Sequence, residues 1–175
     1  MRVLKGHSNN PNNGFTVIEL VIVILLLGII TASILPRFIQ LSSSARIATL
    51  EGIAASMHTT INTIRSIAYI NGIKAVGSNP GNQAAFLVTT EAGTSEIDWR
   101  NLCPESRAEL GDALNMADHI KLQEAGNMQT ITDNRYTRIG FDIQGLGPPT
   151  ANGCYVTYDS FGLPECTVNI VSADC

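Results

Sequence analysis

Residues 14–38 read GFTVIELVIVILLLGIITASILPRF, and between Phe15 and Leu35 they hold a single ionisable group, Glu19. About 21 residues of this character precede Pro36, a length that spans a bilayer as a helix. A secretory signal has a shorter apolar stretch followed by a small-residue cleavage site, so the segment reads as an anchor that is kept. Residues 1–13 are polar, carry Arg2 and Lys5, and contain no acid. Those cations favour a cytoplasmic N-terminus, although Arg37 and Arg46 follow closely on the far side and weaken the charge argument.

Downstream, Ile47, Leu50, Ile53, Ala54, Met57, Ile61, Ile64, Ile67 and Ala68 recur at spacings of three and four, the signature of one helical face. The helix is expected to run to about Ile70, where Asn71-Gly72 supplies a stop. At about 1.5 Å per residue its length would be about 80 Å. Residues 74–101, rich in Gly, Asn, Ser and Thr, read as an irregular connection, and 104–116 as a short helix begun by Pro104. Strand character follows at 128–132, 135–143, 153–158 and 166–171, so the fold class is α+β, an antiparallel sheet covering the exposed face of the helix.

The 175 residues carry a formal charge of −4 and no basic run, which argues against a nucleic-acid partner. Cys103, Cys154, Cys166 and Cys175 form no CxxC pair and lie beyond the apolar block, favouring disulfides in an oxidising compartment over zinc. With a hairpin about residues 160–164, Cys166 would lie opposite Tyr158, about 13 Å from Cys154 at strand rise and too far to bridge. That favours Cys154 with Cys175 and Cys103 with Cys166, the other connectivities staying open. His7, His58 and His119 are scattered, without ligand spacing, and no phosphate loop, nucleophile elbow or EF-hand occurs, so no cofactor, metal or catalytic residue is expected. Asp142 and Asp159 leave an irregular calcium site open, and Trp99 and Tyr158 a receptor or sugar contact against ordinary packing.

Gly14-Phe15-Thr16-Val17-Ile18-Glu19-Leu20 resembles the prepilin signature of the type IV pilins. Extended through Gly28 and Pro36-Arg37-Phe38, and joined by Cys154-Tyr155-Val156-Thr157-Tyr158 and a final Cys175, the resemblance is strongest to the mannose-sensitive haemagglutinin (MSHA) branch. It implies a type IV pilin fold with three parts: a leader at 1–14, a transmembrane and filament-core helix at 15–38, and a half-helix plus head at 39–175. It further implies cutting between Gly14 and Phe15 by a prepilin peptidase and N-methylation of Phe15. The amine so created would partner Glu19 during polymerisation, an acid that would otherwise be costly in hydrocarbon. Gly28 and Pro36 are expected to break or kink the helix. The resemblance implies that the stretch between them loses helicity in an extended fibre, with a simple kink at the membrane exit as the alternative.

The implied partners are the bilayer before assembly, the inner-membrane assembly machinery, further copies of the chain, and a surface or host receptor. The implied location is the inner membrane and then an extracellular pilus serving attachment and motility. A minor pilin, a tip adhesin, a type II secretion pseudopilin and a membrane-anchored enzyme are the alternatives.

Overall fold

The structure, a computed structural model, describes residues 15–122, 127–145 and 148–175, with backbone alone at 35–39. Helix α1 spans Val17–Ile70. The chain divides into two units after Leu41.

In the first unit every side chain from Phe15 to Ile34 is exposed. Val17–Ile34 is long and apolar enough to cross a membrane. Its hydroxyls find partners locally: Thr31 donates to the carbonyls of Leu27 and Gly28 at 2.8 and 3.0 Å, and Ser33 to that of Ile29 at 3.1 Å. Helix α1 continues through both Gly28 and Pro36. A proline withholds one donor, here from the carbonyl of Ala32, and the turns on either side carry the helix past it.

In the second unit, Ser42–Cys175, α1 buries one stripe: Leu50, Ile53, Ala54, Met57, Ile61, Ile64 and Ala68. It ends as expected. Gly72 takes φ 75°, its N–H bonds to the carbonyl of Tyr69, and the N–H of Ile73 reaches back to Ala68. This is a Schellman cap, in which glycine accepts a left-handed backbone that other residues resist.

The connection from 74 to 101 is more ordered than its composition suggests. A 3-10 turn at Gln83–Phe86 leads into β1 (Leu87–Thr90), which pairs antiparallel with β2 (Gly93–Glu96). The short helix expected over 104–116 is absent; only α2, Met116–His119, is helical there. The reason is that this backbone is bonded outward. The N–H of Glu105 goes to the carbonyl of Glu96 at 2.9 Å, and the N–H groups of Glu109 and Leu110 to the Glu96 carboxylate at 2.6 and 3.0 Å. These donors are therefore unavailable to a helix.

The second sheet is the expected meander, β3 (Gln129–Thr132), β4 (Tyr136–Asp142), β5 (Cys154–Asp159) and β6 (Thr167–Val171), in that spatial order and antiparallel throughout. The β5–β6 register differs from expectation by two residues: Tyr158 faces Val168, and Cys166 lies just ahead of β6. Ile139, Cys154, Val156 and Tyr158 pack with the Leu50–Ile61 part of the helical stripe, whereas Phe86, Val88, Ile97 and Leu102 pack with Ile64 and Ala68.

Gly140 sits opposite Tyr155 where β4 bulges, and a Cβ there would lie 2.3 Å from the carbonyl oxygen of Cys154 and 2.4 Å from the Cα of Tyr155. Gly140→Ala therefore forces backbone apart and should destabilise the head by about 1–3 kcal/mol or more. Gly52, in α1 with open space around it, is the control: Gly52→Ala should stabilise by up to about 1 kcal/mol. Thermal unfolding of the detergent-solubilised variants measures both.

Candidate assembly site and disulfide-clamped head

At the start of α1, Thr16 and Glu19 form a reciprocal box. The Thr16 backbone N–H and hydroxyl both donate to Glu19 Oε2, at 3.0 and 2.9 Å, and the Glu19 N–H donates to Thr16 Oγ1 at 3.3 Å. Such a box satisfies orphan donors at a helix start, and the carboxylate opposes the positive end of the helix dipole. The spacing Thr-x-x-Glu ahead of an apolar run would have revealed Thr16, which reading Glu19 alone overlooked. Among the described residues no hydrogen bond joins Phe15 to Glu19. Gly14, the other half of the expected cleavage bond, lies outside the described residues, as does the rest of the expected leader at 1–14. Phe15 is 82% exposed.

Beyond the helix the chain is closed by two bridges, Cys103–Cys166 and Cys154–Cys175, with Cα separations of 6.2 and 4.8 Å. The first fastens the loop after β2 to the entry of β6. Around it, the Asn101 amide donates to the carbonyls of Ser160 and Gly162 at 2.7 and 2.8 Å, while Asn101 Oδ1 accepts from the N–H of Cys103. The second folds the C-terminus onto the start of β5. Gly153 and Asp174 flank it, the Gly153 N–H donating to the Asp174 carboxylate and the Asp174 N–H to the Gly153 carbonyl.

The other candidates separate. Asp142 pairs with Cys154 at one end of the β4–β5 ladder and Asp159 with Tyr136 at the other, so the two acids do not form a calcium site. Asp159 is instead held by both nitrogens of an Arg135 fork at 2.9 and 2.7 Å, and Asp142 accepts from Gln144. Among the described residues no group of three or more His, Cys, Asp or Glu is placed to hold a metal ion. His58 is exposed on α1, and His119 in α2 bonds the Ser95 hydroxyl, its imidazole pushed to lower pKa by burial against the opposing pull of Asp118. His7 lies outside the described residues. Tyr158 is fully buried and donates to the carbonyl of Pro104 at 2.6 Å, which removes it from any receptor surface. Trp99 is half-buried beneath the guanidinium of Arg100, which lies 4.0 Å from its ring centre and 4.3 Å from that of Phe161.

Comparison with known proteins agrees with this arrangement. Residues 9–35 match the family described as the prokaryotic N-terminal methylation motif. The type IV narrow pilus major component PilA5 of Thermus thermophilus is 44% identical over 86 residues, covering 49% of this chain and 67% of that protein. The chain is a type IV pilin. It is thus a structural subunit of a pilus, and the apolar helix, meander and clamped head are the parts of that subunit. No solved structure matches the pilin.

The bridges give this pilin a measurable asymmetry. Loop-closure entropy assigns about 4 kcal/mol to the Cys103–Cys166 link and about 3 kcal/mol to Cys154–Cys175, whose sequence separations are 63 and 21. Replacing both cysteines of the longer loop by serine should therefore lower urea-unfolding stability by about 1 kcal/mol more than replacing both of the shorter. Equal losses would show that local packing at each bridge, rather than loop length, sets its contribution.

Proposed function

We propose that this pilin is the major subunit of a type IV pilus of the MSHA branch, made as an inner-membrane precursor with a cytoplasmic N-terminus and polymerised into an extracellular fibre. Its work in this reading is self-association, not catalysis. The observation that carries the proposal is the Thr16–Glu19 box, a lone carboxylate at the head of an exposed apolar helix, next to the bond a prepilin peptidase would cut. Both donors from Thr16 fall on Oε2, so Oε1 remains without a hydrogen-bonded partner among the described residues. Cutting between Gly14 and Phe15 would free the Phe15 ammonium, which a separate methyl transfer then modifies without removing its charge, and a carboxylate entering a filament core needs such a cation. The incoming subunit is drawn into register when the Phe15 amine of a neighbour meets that carboxylate. Gly28 and Pro36 mark the stretch that would lose helicity as the fibre extends. The MSHA assignment rests on Pro36-Arg37-Phe38, Cys154-Tyr155-Val156-Thr157-Tyr158 and the final Cys175. The assembly machinery and a surface receptor complete the proposed partners.

Two measurements test this. Mass spectrometry of mature protein should find Phe15 first and methylated; mature chains starting beyond Leu35 would point to a removed signal instead. Glu19→Ala leaves the scissile bond untouched, so the variant should accumulate as processed, membrane-bound monomer while sheared fibres fall to background. Wild-type fibre yield from a strain carrying only Glu19→Ala would refute docking by charge.

A further inference from the structure

The head buries three carboxyl groups near one another with little cationic charge to balance them. Glu96 and Asp98 are fully buried and Glu105 is 7% exposed. Glu96 and Glu105 each keep one buried carboxyl oxygen without a hydrogen-bond partner, Oε1 and Oε2 respectively. Asp98 has the local cation, Arg100, at 2.5 Å, and also accepts the N–H of Arg100 at 2.6 Å. The backbone holds Glu105 against the other two: its N–H bonds the carbonyl of Glu96 at 2.9 Å, and the N–H of Asp98 bonds the carbonyl of Cys103 at 2.7 Å.

The groups around Glu105 come from every side. Glu96 faces it from β2, Asp98 and Arg100 from the next loop, and Glu109 from the segment that follows. Tyr158 on β5 adds a phenol that burial first, and then Glu105, Asp98 and Asp159, hold neutral, its pKa raised well above the ordinary value. Arg65 of α1 opposes that shift from farther off and is itself bonded to Glu165 at 3.0 Å. Acids outnumber the cation at Glu105, and two unpaired carboxylates cannot share such a space.

The same residues close a strained piece of backbone. Leu102, fully buried, takes φ 63°, and its loop is shut by the N–H of Asp98 on the carbonyl of Cys103 and the N–H of Leu102 on the carbonyl of Asp98. Ile97 bridges Pro104, and the Met116 N–H bonds the carbonyl of Glu105. We propose that Glu105 is a proton-operated latch: as the neutral acid it closes the segment from 96 to 116 onto the head, and on ionising it releases that segment while the Cys103–Cys166 bridge keeps it tethered.

Burial first, and then the charges of Asp98 and Glu96, push the Glu105 carboxyl up from 4.5 to about 8. The closed state therefore keeps a proton that the open state gives up. Closure is at full strength below about pH 4.5, weakens as pH rises towards about 8, and is level beyond it. His119 is already neutral above pH 7, its pKa being lowered from 6.5, so it does not contribute to the upper part of this window.

The test is hydrogen exchange on the full-length pilin in detergent micelles, corrected for the intrinsic base-catalysed rate, at the amides of Glu105, Glu109, Leu110 and Met116. Protection of the wild type should fall by up to about tenfold per pH unit from pH 7 to 8 and then flatten. Glu105→Gln, which cannot ionise, should keep its protection across that range. The same slope in both proteins, or no slope in the wild type, overturns the latch. Because the variant's folding is not needed for it, the carbon-13 resonance of the wild-type Glu105 carboxyl supplies a second reading: a protonated acid at pH 6.5 supports the latch, and an ionised one at that pH overturns it.

Discussion

One face of α1, from Leu50 to Ala68, has to be kept from water, and the head is the set of elements laid over it. Each Leu or Ile wholly buried there contributes about 1.5–3 kcal/mol. That gain is available only when two different parts of the chain arrive together. The meander covers the stripe through Ile139, Cys154, Val156 and Tyr158, and the earlier hairpin and its loop cover the remainder through Phe86, Val88, Ile97 and Leu102. Strand β5 lies between β4 and β6 and is buried on both faces for most of its length; on the face away from the helix the Tyr155 hydroxyl accepts the N–H of Thr150 and donates to its carbonyl.

Joining the two halves of the cover requires polar connections in a dry place. Tyr158 donates to Pro104, Asn101 to Ser160 and Gly162, and the hydroxyls of Ser106 and Ser160 both donate to the carbonyl of Arg135. Loop backbone at depth is tolerated only when its groups are paired, and here side chains supply the pairs that secondary structure would otherwise provide. Glu96 is the extreme case, since its single carboxylate organises the backbone at Glu109 and Leu110. A segment organised in this way takes its shape from a distant side chain rather than from its own backbone period.

The parts legible in the sequence are those governed by local rules. The helical period located the stripe, Asn71-Gly72 its end, and the alternation of apolar residues the four strands. The β3–β4 turn was likewise readable, since Asp133 accepts from the N–H groups of Arg135 and Tyr136, the usual habit of an Asp in a turn. The unread parts depend on distant partners. Gly93–Glu96 has the composition of a loop and becomes a strand because Ser95 and Glu96 are buried against His119 and the 109–110 backbone. Residues 104–116 have the composition of a helix and do not form one, because the same Glu96 takes their donors. Both bridges follow although the expected hairpin register is two residues out: Cys166 sits just ahead of β6 rather than inside it opposite Tyr158, but in either register it lies at the Asp159 end of β5, while Cys154 and Cys175 meet at the opposite end.

The first unit obeys a different economy of polar groups. Between Phe15 and Ile34 the side chains able to hydrogen-bond are those of Thr16, Glu19, Thr31 and Ser33. Thr31 and Ser33 are satisfied by carbonyls one turn back, and Thr16 by Glu19, so none of the three hydroxyls needs a partner from outside. Lipid and the flank of another apolar helix are therefore nearly equivalent surroundings for this segment, since neither offers nor demands a hydrogen bond. Glu19 is different, because its hydrogen bonds to Thr16 leave its charge uncompensated. In the proposed assembly, a segment otherwise indifferent to its surroundings would be moved from one to the other by whatever neutralises that one charge, so the direction of the transfer would come from Glu19 and not from the apolar surface that makes up the rest of the helix.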